Sequence, residues 1–132
     1  MMINAVLIDP ENQKISDVEI EAGNLEQIYE LLGCFVVDFV MLYPNGDGVY
    51  IDDVGMLIED QYFFHHVNND YSIAGKALLV GTGDDGETVA PDWDAESLNR
   101  HITFLGDREK VARIMRLINR VKHNKTDKEY VQ

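Results

Sequence analysis

No arginine occurs before position 100 of this 132-residue chain, and Lys14 and Lys76 are the only lysines in that stretch. Long-range repulsion from so acidic a stretch argues against DNA binding, since a phosphate backbone would feel it within a Debye length of ~8–10 Å. Cysteine is nearly absent as well. Cys34 stands alone, which rules out an intrachain disulfide framework and makes the cytosol the expected compartment. No apolar run approaches the ~18 residues of a membrane span. The opening MMINAVLIDP has no basic n-region and no small-residue cleavage site, so no signal peptide is expected. Three prolines, ten glycines and no low-complexity tract leave no obvious linker.

What is present is carboxylate. The net charge is −13 with a pI near 4.4. Residues 1–99 carry twenty Asp/Glu against two Lys, a net of −18, whereas residues 100–132 carry nine Lys/Arg against four Asp/Glu, a net of +5. An acidic body with a basic end speaks to partners more than to fold. Apolar residues make up 45% of the chain, enough for one core in a single domain of this length. We expect an acidic body over 1–93 and a helical C-terminal appendage over 94–132.

Periodicity predicts an α+β fold. Residues 2–8 and 14–21 read as a hairpin around Asp9–Asn12, the second strand alternating with period two. Asn24 is a good N-cap, Gln27 stands at the capping-box position, and Leu25, Ile28, Leu31 and Leu32 form a helical stripe ended by Gly33. The run CFVVDFVML, 34–42, predicts a central strand covered on both faces, with Asp38 neutralised by Lys14 or Lys76 or else lining a groove. Short strands are expected at 49–51, 56–58, 76–81 and 102–105, with a strand or short helix at 61–67. A two-turn helix is expected at 94–101. Asp107 caps a final helix over about 108–123, beyond which the polar tail should fray. Its apolar stripe is Val111, Ile114, Met115, Ile118 and Val121, and its basic stripe is Arg113, Arg116 and Arg120. The sheet should be mostly antiparallel, with five to seven strands.

Four blocks, LIDPENQKI, LLGC, YPNGDGVYIDDVGML and AGKALLVGTGDDGETV, occur in order. Together they resemble a family of small uncharacterised domains, a domain of unknown function, over about residues 3–90. The resemblance implies a bacteriophage, plasmid or bacterial-host setting, action inside a bacterial cell, and no assigned catalytic residues.

Motifs that suggest chemistry break down on spacing. From Asn45 or Asp47, an EF-hand register puts Val49 at a ligand position. Gly81, Gly83 and Gly86 match GxGxxG, but strand-like residues follow where a helix should, and Asp84, Asp85 and Glu87 would repel phosphate. His65 and His66 point to opposite faces of a strand, and His101 and His123 are too distant in sequence to place. Cys34 reads as a small core residue. We therefore expect no catalytic residues, cofactor or metal. The favoured reading is a non-catalytic acidic protein that binds a basic host protein through Asp47, Asp52, Asp53, Asp84, Asp85 and Glu87, in its concrete form a nucleic-acid mimic against a host restriction or CRISPR-type enzyme. A homo-oligomer is compatible with this reading, and no membrane association is expected. The alternatives are a nucleic-acid-associated protein using Arg113, Arg116 and Arg120, and a small enzyme.

Overall fold

A computed structural model describes residues 1–130, with side chains through Lys122. The architecture is α+β: an antiparallel six-stranded sheet, a three-stranded antiparallel sheet, and three α-helices. The large sheet contains β1 (Met2–Asp9), β2 (Lys14–Glu21), β3 (Val37–Met41), β4 (Gly48–Asp52), β7 (Ala77–Thr82) and β8 (Thr88–Val89), in the order β2-β1-β7-β4-β3, with β8 paired to β7. The small sheet is β6 (Ile73–Ala74), β5 (Tyr62–His66) and β9 (Ile102–Asp107), with β5 in the middle.

The two faces of the large sheet build two cores. Ile3, Ala5, Ile20, Leu78 and Val80 meet Ile28 and Leu32 of α1 (Leu25–Leu32). Val6, Ile8, Val49 and Leu79 on the other face meet Phe64 and Ile73 of the small sheet and Leu98 of α2 (Ala95–Leu98). Both cores follow from period-two alternation along β1, β4 and β7. The helix ends are set by side chains. Asn24 accepts from the Gln27 amide at 3.2 Å, and Gly33 closes α1 in the left-handed region at φ 66°. Gln27 does not complete the capping box; its Oε1 takes the Glu21 amide at 2.8 Å and ties the helix to β2. Asp107 caps α3 (Arg108–Tyr130) by accepting from the Lys110 amide at 3.0 Å.

Five expectations change. The 34–42 run is not a central strand: β3 lies at the sheet edge, with Phe35, Val36, Phe39 and Met41 exposed. Asp38 is exposed, makes no ion pair with Lys14 or Lys76 among the described residues, and its Oδ1 accepts from the Phe39 amide at 2.8 Å. A carboxylate that occupies a free edge amide blunts the edge against further pairing. Residues 56–58 are not a strand, since Gly55–Leu57 form a 3-10 turn. Residues 94–107 are not an appendage: Leu98 is fully buried and β9 pairs with β5. The final helix continues to Tyr130 instead of ending near 123.

Candidate functional site

The six turn carboxylates divide between two ends of the large sheet. Asp47 immediately precedes β4 and Asp52 ends it, so the strand separates them by ~17 Å. Asp47 is a correction: it is 3% exposed, where an exposed turn residue was expected. Its Oδ2 accepts from the Asp92 amide at 2.9 Å, and its backbone oxygen accepts from the amides of Leu42 and Tyr43, each at 3.0 Å. The PNGD turn thus anchors the 90–94 crossover. Asp52 accepts from the Val54 amide at 3.0 Å, and Asp53 is exposed beside it.

Asp84, Asp85 and Glu87 are exposed on the β7–β8 hairpin at the opposite end from Asp52. Gly86, at φ 81°, closes this turn by donating to the Gly83 carbonyl, and Glu87 Oε2 accepts from the Asp85 amide at 3.0 Å. The glycine spacing therefore serves a hairpin and leads into a strand. The register of β1 and β2 brings two residues that sequence reasoning missed to the same end: Glu21 pairs with Met2 and Glu19 with Asn4, both glutamates exposed. Lys14 pairs with Asp9 at the other end, where Lys76 shares a depression with Asp9, Glu11 and Asp52. Both lysines of the first ninety-nine residues thus sit at the Asp52 end, and five carboxylates gather at the hairpin end without either one.

Arg113, Arg116 and Arg120 are exposed. Most of the apolar stripe of α3 turns to the body: Val111, Ile114, Met115 and Ile118 line an open groove of about 540 Å³ with His65, Thr103 and Leu105, whereas Val121 is exposed. The three arginines are not part of that lining. The start of the helix is held by Arg108, whose guanidinium donates to the carbonyls of Ile58 (3.0 and 2.8 Å) and Met56 and lies 5.3 Å from the Phe63 ring centroid.

The histidines separate as strand geometry requires. His65 faces the α3 groove and bonds the Asn69 carbonyl, while His66 is fully buried. His66 Nδ1 accepts from the Asn68 amide at 3.0 Å, which leaves its Nε2–H to donate to the Tyr43 hydroxyl at 2.6 Å. Tyr43 then donates to His101 Nδ1 at 2.7 Å. Burial and the neighbouring His101 and His65 push the His66 pKa down to about 4, while burial and Asp47 push that of Tyr43 up to about 12. Trp93 stacks on Tyr43 at 4.8 Å. At the His66 end the chain of bonds stops at the Asn68 backbone N–H, which has no lone pair to take up a proton, and the bonds join three segments of the chain. Tyr43, Trp93 and this bonding pattern lie 23 to 58 residues from their partners and leave no local signal.

Cys34 is 7% exposed in the α1-side core, with its thiol pKa raised by burial and by Asp52. His123 lies outside the residues whose side chains are described. Among the described residues no three His, Cys, Asp or Glu side chains cluster as metal ligands, and no helix is long and apolar enough to cross a membrane.

These features define a small α+β domain with a charge-segregated sheet. A family model described as "Domain of unknown function (DUF3846)" matches residues 3–103, and the chain belongs to that family. The match runs past the expected limit near residue 90 and takes in Trp93, Leu98 and His101, while α3 lies beyond it. No curated protein and no solved structure matches the chain.

Proposed function

We propose that the protein is a non-catalytic binding module whose acidic sheet end engages a positively charged partner protein. One observation carries this reading: Glu19, Glu21, Asp84, Asp85 and Glu87 share one end of the sheet, while Lys14 and Lys76 both lie at the other. Carboxylates set apart from the lysines create a field that steers and holds a cationic surface. A nucleic-acid mimic, directed in a phage or plasmid setting at a host defence enzyme, asks for a row of carboxylates along one face. The turn carboxylates divide instead, so a compact acidic end gripping a basic protein segment is the form the geometry favours.

The test compares two equal changes in charge. Binding of a fluorescent Lys-Val hexapeptide is titrated against D84N/D85N and against D52N/D53N. We expect the first pair to weaken binding ~3–10-fold and the second less than ~2-fold, with both effects shrinking as salt rises from about 50 to about 300 mM. Equal losses from the two pairs would mean a diffuse acidic coat and end the proposal. A second reading, nucleic-acid association, is favoured by the exposure of Arg113, Arg116 and Arg120 on the basic helix.

A further inference from the structure

The large sheet is split at this same acidic end. β1 pairs with β7 only through Val6, Leu7 and Ile8, opposite Leu79, Leu78 and Ala77. Beyond Leu79 the same side of β7 is taken over by β8, with Gly81 opposite Val89 and Thr82 opposite Thr88. The first half of β1 is left facing β8 across a cleft of about 830 Å³, lined by Met2, Ile3, Asn4, Thr88, Val89 and Ala90 among others.

Ladder alternation says which backbone groups face the cleft. The Ala22 amide donates to the Met1 carbonyl at 2.9 Å, so odd-numbered residues of β1 bond to β2 and even-numbered ones point away. Val6 and Ile8 bond to β7 through those outward groups, whereas Met2 and Asn4, paired to β2 on one side, have no strand paired on the other. On the other wall the Gly83 amide donates to the Glu87 carbonyl at 2.8 Å, so Glu87 and Val89 bond to β7 and Thr88 points outward. Two strand edges thus face each other with donors and acceptors presented inward. Unlike the β3 edge, where Asp38 occupies a free amide, neither wall carries a side chain bonded across its outward groups among the described residues. Glu87 lines the opening, Glu21 and Glu19 stand one strand away opposite Met2 and Asn4, and Met1 is in the lining but no Lys or Arg side chain is.

We infer that this cleft is a slot for one extended strand of a basic partner segment, hydrogen-bonded to Met2 and Asn4 on one side and Thr88 on the other. The inference rests on the acidic-end reading above and names the seat. β1 and β8 both run antiparallel to β7, so an inserted strand parallel to β7 pairs antiparallel with both walls. Main-chain bonds then supply affinity, and the surrounding carboxylates select Lys or Arg at alternate positions. Four paired residues span ~13 Å, the length of the unpaired half of β1.

The test uses the full chain, the Lys-Val hexapeptide and a Lys-Pro hexapeptide of equal charge that cannot form a ladder. Hydrogen exchange of the Met2, Asn4 and Thr88 amides should slow at least ~10-fold with the first peptide and stay unchanged with the second. Thr88→Pro removes the inward N–H from a short edge strand, where proline is tolerated, and should weaken Lys-Val binding ~10-fold. Asn4→Pro removes the corresponding donor on the facing wall and should do the same. Unchanged exchange of the Ile3 and Ile20 amides verifies folding of each variant. If both peptides bind alike, with sensitivity to D84N/D85N but no protection at the three amides, the slot is wrong and the acidic end stands. If binding is insensitive to D84N/D85N, both readings fall.

Discussion

Acid should expose the buried histidine before anything else in the core. His66 is fully buried, its Nδ1 already accepts the Asn68 amide, and burial holds its pKa at about 4 against an ordinary 6.5. Protonation puts a hydrogen on Nδ1 facing a backbone N–H, and the bond becomes a repulsion. Between pH 6.5 and 4 the unfolded chain binds a proton that the folded chain refuses, so unfolding free energy must fall as pH falls. At about 1.4 kcal/mol per pH unit, the span from 6.5 to 4 corresponds to about 3 kcal/mol. The raw profile sums the response of every group in the chain. Subtracting a His66→Gln variant isolates the histidine. Urea unfolding of both proteins at pH 7.5, 6, 5 and 4 should show the wild-type advantage shrinking by about 3 kcal/mol, nearly all of it below pH 6.5. A difference that stays flat across this range refutes the bonding pattern drawn around Tyr43.

Other outcomes follow from the same geometry. Tyr43→Phe strands the buried His66 Nε2–H and should cost about 1–3 kcal/mol by urea unfolding, with the His66 environment changed in its imidazole NMR signals. Asp47→Ala removes the acceptor of the Asp92 amide and should cost about 1–3 kcal/mol while speeding hydrogen exchange over residues 90–94. Gly48→Ala places a Cβ 2.4 Å from the Val40 carbonyl oxygen in the adjoining strand, and should cost more than about 3 kcal/mol or prevent folding, read by circular dichroism and yield. Replacing Arg113, Arg116 and Arg120 together by Gln should change stability by less than about 0.5 kcal/mol; a large loss of affinity for duplex DNA in a filter-binding assay would favour the second reading.

Much of the secondary structure was legible because it is written locally. The Asn24 cap, the Gly33 stop, the Asp107 cap and the β1–β2 alternation each rest on residues within a few positions of one another. The edge strand was misread because an unbroken apolar run implies two covered faces, whereas Phe35, Val36 and Met41 are spent on solvent. Asp38 in the middle was the local sign of an edge. Asp47 was misplaced because Asn-Gly-Asp-Gly reads as a surface turn; its burial depends on Asp92, forty-five residues away. The site divides in the same way. Asp84, Asp85 and Glu87 were legible as a turn, but their company with Glu19 and Glu21, and the slot between β1 and β8, exist only once the strand registers are set.

The most direct test of the acidic-end account is an amide chemical-shift map of the full chain titrated with the Lys-Val hexapeptide. Shifts confined to residues 2–4, 19–21 and 83–90, with residues 9–14 and 52–60 silent, are the expected result. Comparable shifts at both ends of the sheet would contradict the account.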